Sequence, residues 1–332
     1  MLKKLFIIAL KICVSAGLIW YVLSGIDIDE AWAKLIRVQP AMVAVAAMLM
    51  LLQLVIGGLR WGTVLRAIDH PLPFWYIVRL FYVGVYFNQV LPGGAGGDGV
   101  RIYLTYKEGL KLRGAINGVI LERVAAVLAL VLLVGATMPF FLLPRLGDVG
   151  RDWVVPALLI SVVAVLGGIA ILCRLDRLPE ALRGWRIVRG LGQLANDSRT
   201  VFLLAGNSLR VLVWSVVGHV NIALCVFVLA SGLNLDVGLF DCIILMPPVL
   251  LVMTVPISIG AWGVRENAMV LAFGLVGMSQ QSATVLGLLL GFLTLAIALP
   301  GGLVWLASRG EERSRSITDI DGELTATPPE EI

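Results

Sequence analysis

Long apolar stretches separated by short polar ones dominate the chain. Runs near residues 5 to 24, 40 to 59, 114 to 143, 153 to 173, 207 to 231 and 282 to 307 are each long enough to span a hydrocarbon core of about 30 Å as a helix. They predict six crossings. Two further apolar regions, 74 to 112 and 241 to 280, are interrupted midway by "LPGGAGGDGVR" (Leu91 to Arg101) and "VPISIGAWGVR" (Val255 to Arg265). Backbone that leaves the helix at membrane depth must be buried in protein or line a wet cavity, because unpaired N–H and C=O groups in hydrocarbon are costly. Both regions therefore read as re-entrant or broken helix pairs meeting inside the bundle.

The two interruptions share the skeleton P-x-x-x-G-x-x-G-V-R. Pro92, Gly96, Gly99, Val100 and Arg101 answer to Pro256, Gly260, Gly263, Val264 and Arg265. An odd number of crossings lies between them, so the copies run in opposite orientations, as in inverted-topology repeats built around a site near the bilayer midplane. Two unrelated turns of shared glycine–proline chemistry would give the same matches, and that alternative stays open at this point.

Composition sharpens the class. With 59% hydrophobic and 14% charged residues, the chain departs from the roughly 25% charge of soluble domains and reads as an all-α polytopic membrane protein. If its N-terminus is cytoplasmic, sixteen Lys and Arg, among them Arg60 and Arg66, fall in inner segments, against four outside, Lys34, Arg37, Arg145 and Arg151. That asymmetry obeys the positive-inside rule and places both termini on the cytoplasmic side, in a bacterial inner membrane. The basic start followed by an apolar run also has the shape of a signal peptide. Lys11 interrupts the run and no A-x-A site follows, which favours a retained first helix. Residues 1 to 308 form the expected membrane domain, and the polar tail 309 to 332 is expected to be disordered. The segment from Arg174 to Arg199 mixes basic residues with Leu, Trp and Ile, as an inner-surface helix or a solvated loop would.

Several classes drop out. The net charge of +4 accompanies no nucleic-acid motif. Cys13, Cys173, Cys225 and Cys242 show no C-x-x-C spacing, and the two histidines, His70 and His219, are far apart, so no disulfide framework, metal centre or cofactor is expected. Trp20, Trp75, Trp153 and Trp305 suit an interfacial belt. Pro247 and Pro248 suit a kink before the second break. His219 and Asn221 suit either a proton relay or plain interhelical hydrogen bonds.

Ionisable groups at depth are expensive and mark a pathway by default. Arg79, Asp98, Arg101, Glu122, Arg123, Arg265 and Glu266 gather around the two breaks and the helix after the first, with Asn88 just before. "GDGVR" reads as the opening of a half-helix, whose N–H groups and partial positive charge suit an anion. Arg101 and Arg265 would add bidentate donors that match phosphate oxygens. Gly96, Gly97, Gly99, Gly260 and Gly263 would let backbone approach the ligand. Asp98, Glu122 and Glu266 would hold the arginines while the site is empty. The bland counterpart is a set of structural ion pairs, since any buried charge needs a partner merely to be tolerated.

These residues also carry a resemblance. "NQVLPGGAGGDGVRIYL" (Asn88 to Leu104), "LERVAAVLAL" (Leu121 to Leu130) and the block from Pro256 to Leu306 resemble the signature blocks of the flippase-like membrane domain of lysylphosphatidylglycerol synthetases and their stand-alone relatives. The resemblance implies a lipid translocase and not an enzyme, because only a short tail follows Leu306 where the fused members carry a synthetase domain. It leaves the lipid open, whether an aminoacylated phospholipid or a polyprenyl-phosphate-linked one. Partners implied are membrane lipids with anionic headgroups and a separate lipid-modifying enzyme. Two rivals remain: a polyprenyl-phosphate-dependent glycosyltransferase using Asp27, Asp29 and Glu30 of "GIDIDEAW", and a non-transporting accessory subunit.

Overall fold

The computed structural model describes residues 17, 20, 24, 28–91, 96–137, 148–177, 186–255, 258 and 260–308. Among them it is helical throughout, with no strand. In chain order the helices are α1 (Ile28–Ile36), α2 (Pro40–Ala67), α3 (Phe74–Val90), α4 (Gly96–Lys107), α5 (Leu112–Thr137), α6 (Asp148–Leu172), α7 (Arg186–Phe202), α8 (Ala205–Gly232), α9 (Leu239–Met253), α10 (Val264–Gly274) and α11 (Gln280–Ala298). A short 3-10 turn, Leu175–Arg177, precedes α7, and α11 continues to Ser308 past a turn at Leu299, just before Pro300.

Four helices, α2, α5, α8 and α11 with its extension, are long and apolar enough to cross a membrane, and the chain is an all-α polytopic membrane protein. The expected crossings at 40–59, 114–143, 207–231 and 282–307 coincide with these helices, and that at 153–173 with α6. Most of the first run, 5 to 24, lies outside the described residues, as do Pro92, Pro256, the side chain of Trp153 and the tail. Pro156 sits inside α6, while Pro247 and Pro248 sit inside α9, which continues to Met253. Trp20 and Trp75 are exposed, whereas Trp305 packs edge-on against Phe87, 5.2 Å between centroids.

Both predicted interruptions are real breaks between paired helices. The first hairpin is α3 and α4, and the second is α9 and α10. They open at opposite ends of the bundle. At one end Gln39 donates its backbone N–H to the Gly232 carbonyl (3.0 Å) and Lys34 donates to Ser282 (3.3 Å), gathering the loops that flank α9 and α10. At the other, Asn117 donates to Asp197 (2.6 Å) and Arg199 to Asp176 (2.9 Å), beside the loops that flank α3 and α4.

Helices in lipid gain little from hydrophobic burial against one another, so close approach through small residues carries much of the packing. Here α2 packs along α8, and α3 seats in a groove on α2 made by Gly57, Gly58 and Gly62, where an added methyl would meet Phe81, Val78 and Ile77. Two apolar cores result. One surrounds the second hairpin, with Leu245, Met246, Met269, Phe273 and Leu286 at its centre, and the other surrounds the first, with Trp61, Leu65, Ile77, Leu80 and Leu121. Since α2 and α8 contribute to both, they act as a spine, and the space between the cores is where the hairpin tips meet.

Candidate functional site

The first tip is built by contact between arms. A methyl on Gly97 would collide with the Gly84 carbonyl, so α4 lies against α3 as only glycine permits. Asn88 accepts the Gly97 N–H through Oδ1 at 2.9 Å. The side chain thus answers an orphan donor of the α4 N-terminus.

The second tip differs. Gly260, Ala261 and Gly263 have φ of 58°, 61° and 80°, and α10 begins only at Val264. The helix after the first break starts at Gly96, but the helix after the second starts four residues later in the repeat. Here Glu266 accepts the Gly263 N–H at 2.6 Å. In both copies, then, a side chain of the protein takes an N–H at the helix opening.

The arginines are held by carboxylates on their own or neighbouring helices. Arg101 Nη2 donates to Asp98 Oδ1 (2.7 Å) and to Glu122 Oε2 (3.1 Å), and its guanidinium lies 4.8 Å from the Trp61 ring centre and 5.1 Å from that of Phe81. Arg60 donates to the other oxygen of Glu122, Nε to Oε1 at 2.7 Å. Arg123 donates to both oxygens of Asp98, at 2.9 and 3.0 Å. At the second break Arg265 donates to Glu266 Oε1 from Nε (3.0 Å) and Nη2 (2.6 Å), with its guanidinium 4.7 Å from the Trp262 ring centre.

Arg101 and Arg265 line one cavity of ≈ 350 Å³ between the two cores. Of the other residues singled out in the sequence, Asn88, Glu122, Arg123 and Gly260 also line it. Asp98 and Glu266 stand behind the wall as ion-pair partners. Gly96, Gly97, Gly99 and Gly263 shape the tips. Arg79 lies elsewhere, its guanidinium 5.3 Å from the Tyr76 ring on the same helix. Gln89 at the end of α3 stands beside Gly260, so the two tips touch across the cavity.

The cavity wall also carries Arg60, Gln53, Gln89 and Thr294, none of which the sequence pattern marks as a site residue. Arg60 was counted with the inner loops, but α2 runs on to Ala67 and holds it within the helix, so it leaves the positive-inside tally. The clue was present: "WGTVL" after Arg60 carries no charge until Arg66, and Gln53 and Arg60 stand at i, i+7 on one helix face. His219 and Asn221 make interhelical bonds, to the Ala126 carbonyl (3.0 Å) and to the Leu49 carbonyl and Gln53 (both 2.9 Å). Asp29 of the first loop lies on α1, away from the cavity wall, while Asp27 is outside the described residues.

The charges do not cancel. Among the described residues on or paired at the wall, four guanidiniums (Arg60, Arg101, Arg123, Arg265) face three carboxylates (Asp98, Glu122, Glu266). Arg101 is 3% exposed, and its Nη1 is buried with no hydrogen-bond partner. The excess charge is that of half-exposed Arg123, and the unmet guanidinium N–H of Arg101 is a donor in waiting. The arrangement can receive a compact anion against largely aliphatic walls supplied by Met50, Leu54, Ile222, Leu250 and Leu290.

A family model described as "Lysylphosphatidylglycerol synthase TM region" matches residues 8–302. No curated protein and no solved structure matches the chain.

Proposed function

Because the chain belongs to the lysylphosphatidylglycerol synthase transmembrane-region family, a membrane domain associated with lipid-related functions, we propose that it moves a lipid with an anionic headgroup between the leaflets of a bacterial inner membrane. The observation that carries this reading is the cavity with one positive charge in excess, walled by an arginine from each of two oppositely entering hairpins.

Helix rise supports the reading. Arg101 lies about 9 Å from the Lys107 end of α4, and Arg265 about 14 Å from the Gly274 end of α10, measured from opposite faces at about 1.5 Å per residue. The two guanidiniums therefore offer successive stations to a headgroup crossing the middle. At each, the anion would compete with a carboxylate that holds the arginine at rest, so binding at one station need not forbid departure to the next. Aliphatic walls suit the glycerol and upper acyl carbons that follow a phosphate.

Reconstitution tests it. Purified protein in liposomes should expose a labelled anionic phospholipid to an outside quencher faster than empty liposomes do. Arg101→Ala and Arg265→Ala should each slow that exposure at least tenfold, since losing a charge-assisted hydrogen bond to an anion costs about 1.5–3 kcal/mol. Equal rates with and without protein would remove the proposal.

A further inference from the structure

One line of charges runs from the interior of the cavity to its rim. Arg101, 3% exposed, pairs with Asp98, 15% exposed, which pairs in turn with Arg123, 48% exposed. Arg123 lines the cavity and is the most exposed member of this line of pairs. It stands about 17 Å along α5 from Leu112, three turns in, where a guanidinium facing acyl chains alone would be strongly disfavoured. A half-exposed charge at that depth calls for a polar occupant of the space in front of it.

That space has a definite shape. Gly99, on α4 beside Asp98, is exposed, and a methyl added there would meet nothing within 4 Å. Tyr103 and Tyr106 are also exposed, at 59% and 53%. Spaced four and seven residues beyond Gly99, they share its helix face. The outward face of α4 thus presents a notch and two phenol-bearing rings, leading from Lys107 at the helix end toward the Asp98–Arg123 pair. The ion pair of the second hairpin is closed by comparison: Arg265 and Glu266 are 3% and 1% exposed.

We propose that the Asp98–Arg123 pair, with the notch at Gly99 beside it, is the lateral gate through which an anionic headgroup passes between the bilayer and the cavity. The inference rests on the translocation reading above. A headgroup arriving along α4 meets Arg123 first and displaces Asp98 from it. It then meets Arg101, whose Nη1 is unpartnered, and Asp98 swings back to Arg123 behind it. At each step the anion has a guanidinium and Asp98 keeps one, so no charge crosses the rim uncompensated. The alternation also explains why the pair lies where the first repeat is open and the second is closed.

The test uses the full-length protein in detergent and a fluorescent dihexanoyl phosphatidylglycerol, followed by stopped flow. Gly99→Trp should plug the notch without touching the cavity. Association and dissociation should both slow by tenfold or more, while Kd changes less than twofold. Arg123→Gln, which removes the first guanidinium the headgroup meets, should slow both rates at least threefold. Unchanged rates in Gly99→Trp, with Arg101→Ala abolishing binding, would show that the cavity holds the headgroup but fills by another route, and would overturn the gate alone. Absence of saturable binding by the unmodified protein would overturn the translocation reading and the gate with it.

Discussion

Arg60 on α2 and Glu122 on α5, 62 residues apart in sequence, are joined by two hydrogen bonds to a single carboxylate oxygen, Oε1. The other oxygen of Glu122 accepts from Arg101. One buried carboxylate therefore answers guanidiniums from two helices and fixes α2, α4 and α5 against each other.

Removing that carboxylate should cost more than removing any other charge in the cluster. Glu122→Gln leaves Arg60 and Arg101 facing a neutral amide, and stripping a buried pair of one partner costs about 3–5 kcal/mol. Arg123→Gln touches a half-exposed pair and should cost about 1 kcal/mol or less. Thermal unfolding in detergent checks the order: a large drop for Glu122→Gln and a small one for Arg123→Gln. Equal drops would show that Glu122 does not hold the helices together.

Gly97 and Gly99 of α4 should respond differently to an added methyl. In Gly97→Ala the new methyl meets the Gly84 carbonyl, backbone against backbone with nothing free to move aside. Overpacking of this kind costs about 1–3 kcal/mol. At Gly99 the added methyl enters open space in a helical residue, and the entropy saved relative to glycine is worth about 0.5–1 kcal/mol. The same melting assay should show Gly97→Ala below the unmodified protein and Gly99→Ala level with it or above.

Stability should also carry a signature of Asp197 on α7, at the end of the bundle where the first hairpin opens. Its carboxyl is raised from the ordinary 3.8, chiefly because burial disfavours the charged form; the bond from Asn117 and the nearby His70 oppose the rise, and Asp69 adds to it. An acid raised on folding binds more protons in the native state, so stability is highest below the ordinary value and declines as pH climbs from 3.8 through the raised one. Melting temperature should fall over that window in the unmodified protein and stay nearly flat in Asp197→Asn. A curve rising with pH in both would contradict the assignment.

How much of this could be read beforehand follows from how far each signal reaches along the chain. The breaks at "GGDGVR" and "GAWGVR" announce themselves because glycine and charge within apolar runs have few local explanations. Arg101, Glu122, Arg123 and Arg265 were legible for the same reason. Arg60 was not, because an arginine after an apolar run resembles a loop residue until Glu122, on another helix, makes its depth tolerable. Gln89 beside Gly260 is a meeting of two hairpins, and no local pattern encodes it. The unequal helix starts at Gly96 and Val264 hid behind a shared motif, since positive φ at Ala261 and Gly263 is a property of the fold around them.

The placement of Arg265 can be separated from its charge. Gly291 on α11 lies directly behind its guanidinium, and a methyl there would meet Nη2, Cζ and Nη1. These atoms end a long side chain, so the clash is relieved by turning the guanidinium away and not by moving backbone. Gly291→Ala should therefore leave melting within a few degrees, the more so because alanine favours the helix by about 0.5–1 kcal/mol. Charge and composition of the cavity are unchanged in this variant. If Arg265 must sit where it does to receive the headgroup, transport in liposomes should still fall about tenfold, the equivalent of losing one well-aimed charged hydrogen bond. A variant that melts normally and transports normally would show that Arg265 serves the second hairpin as a structural ion pair with Glu266 and takes no part in carrying the lipid.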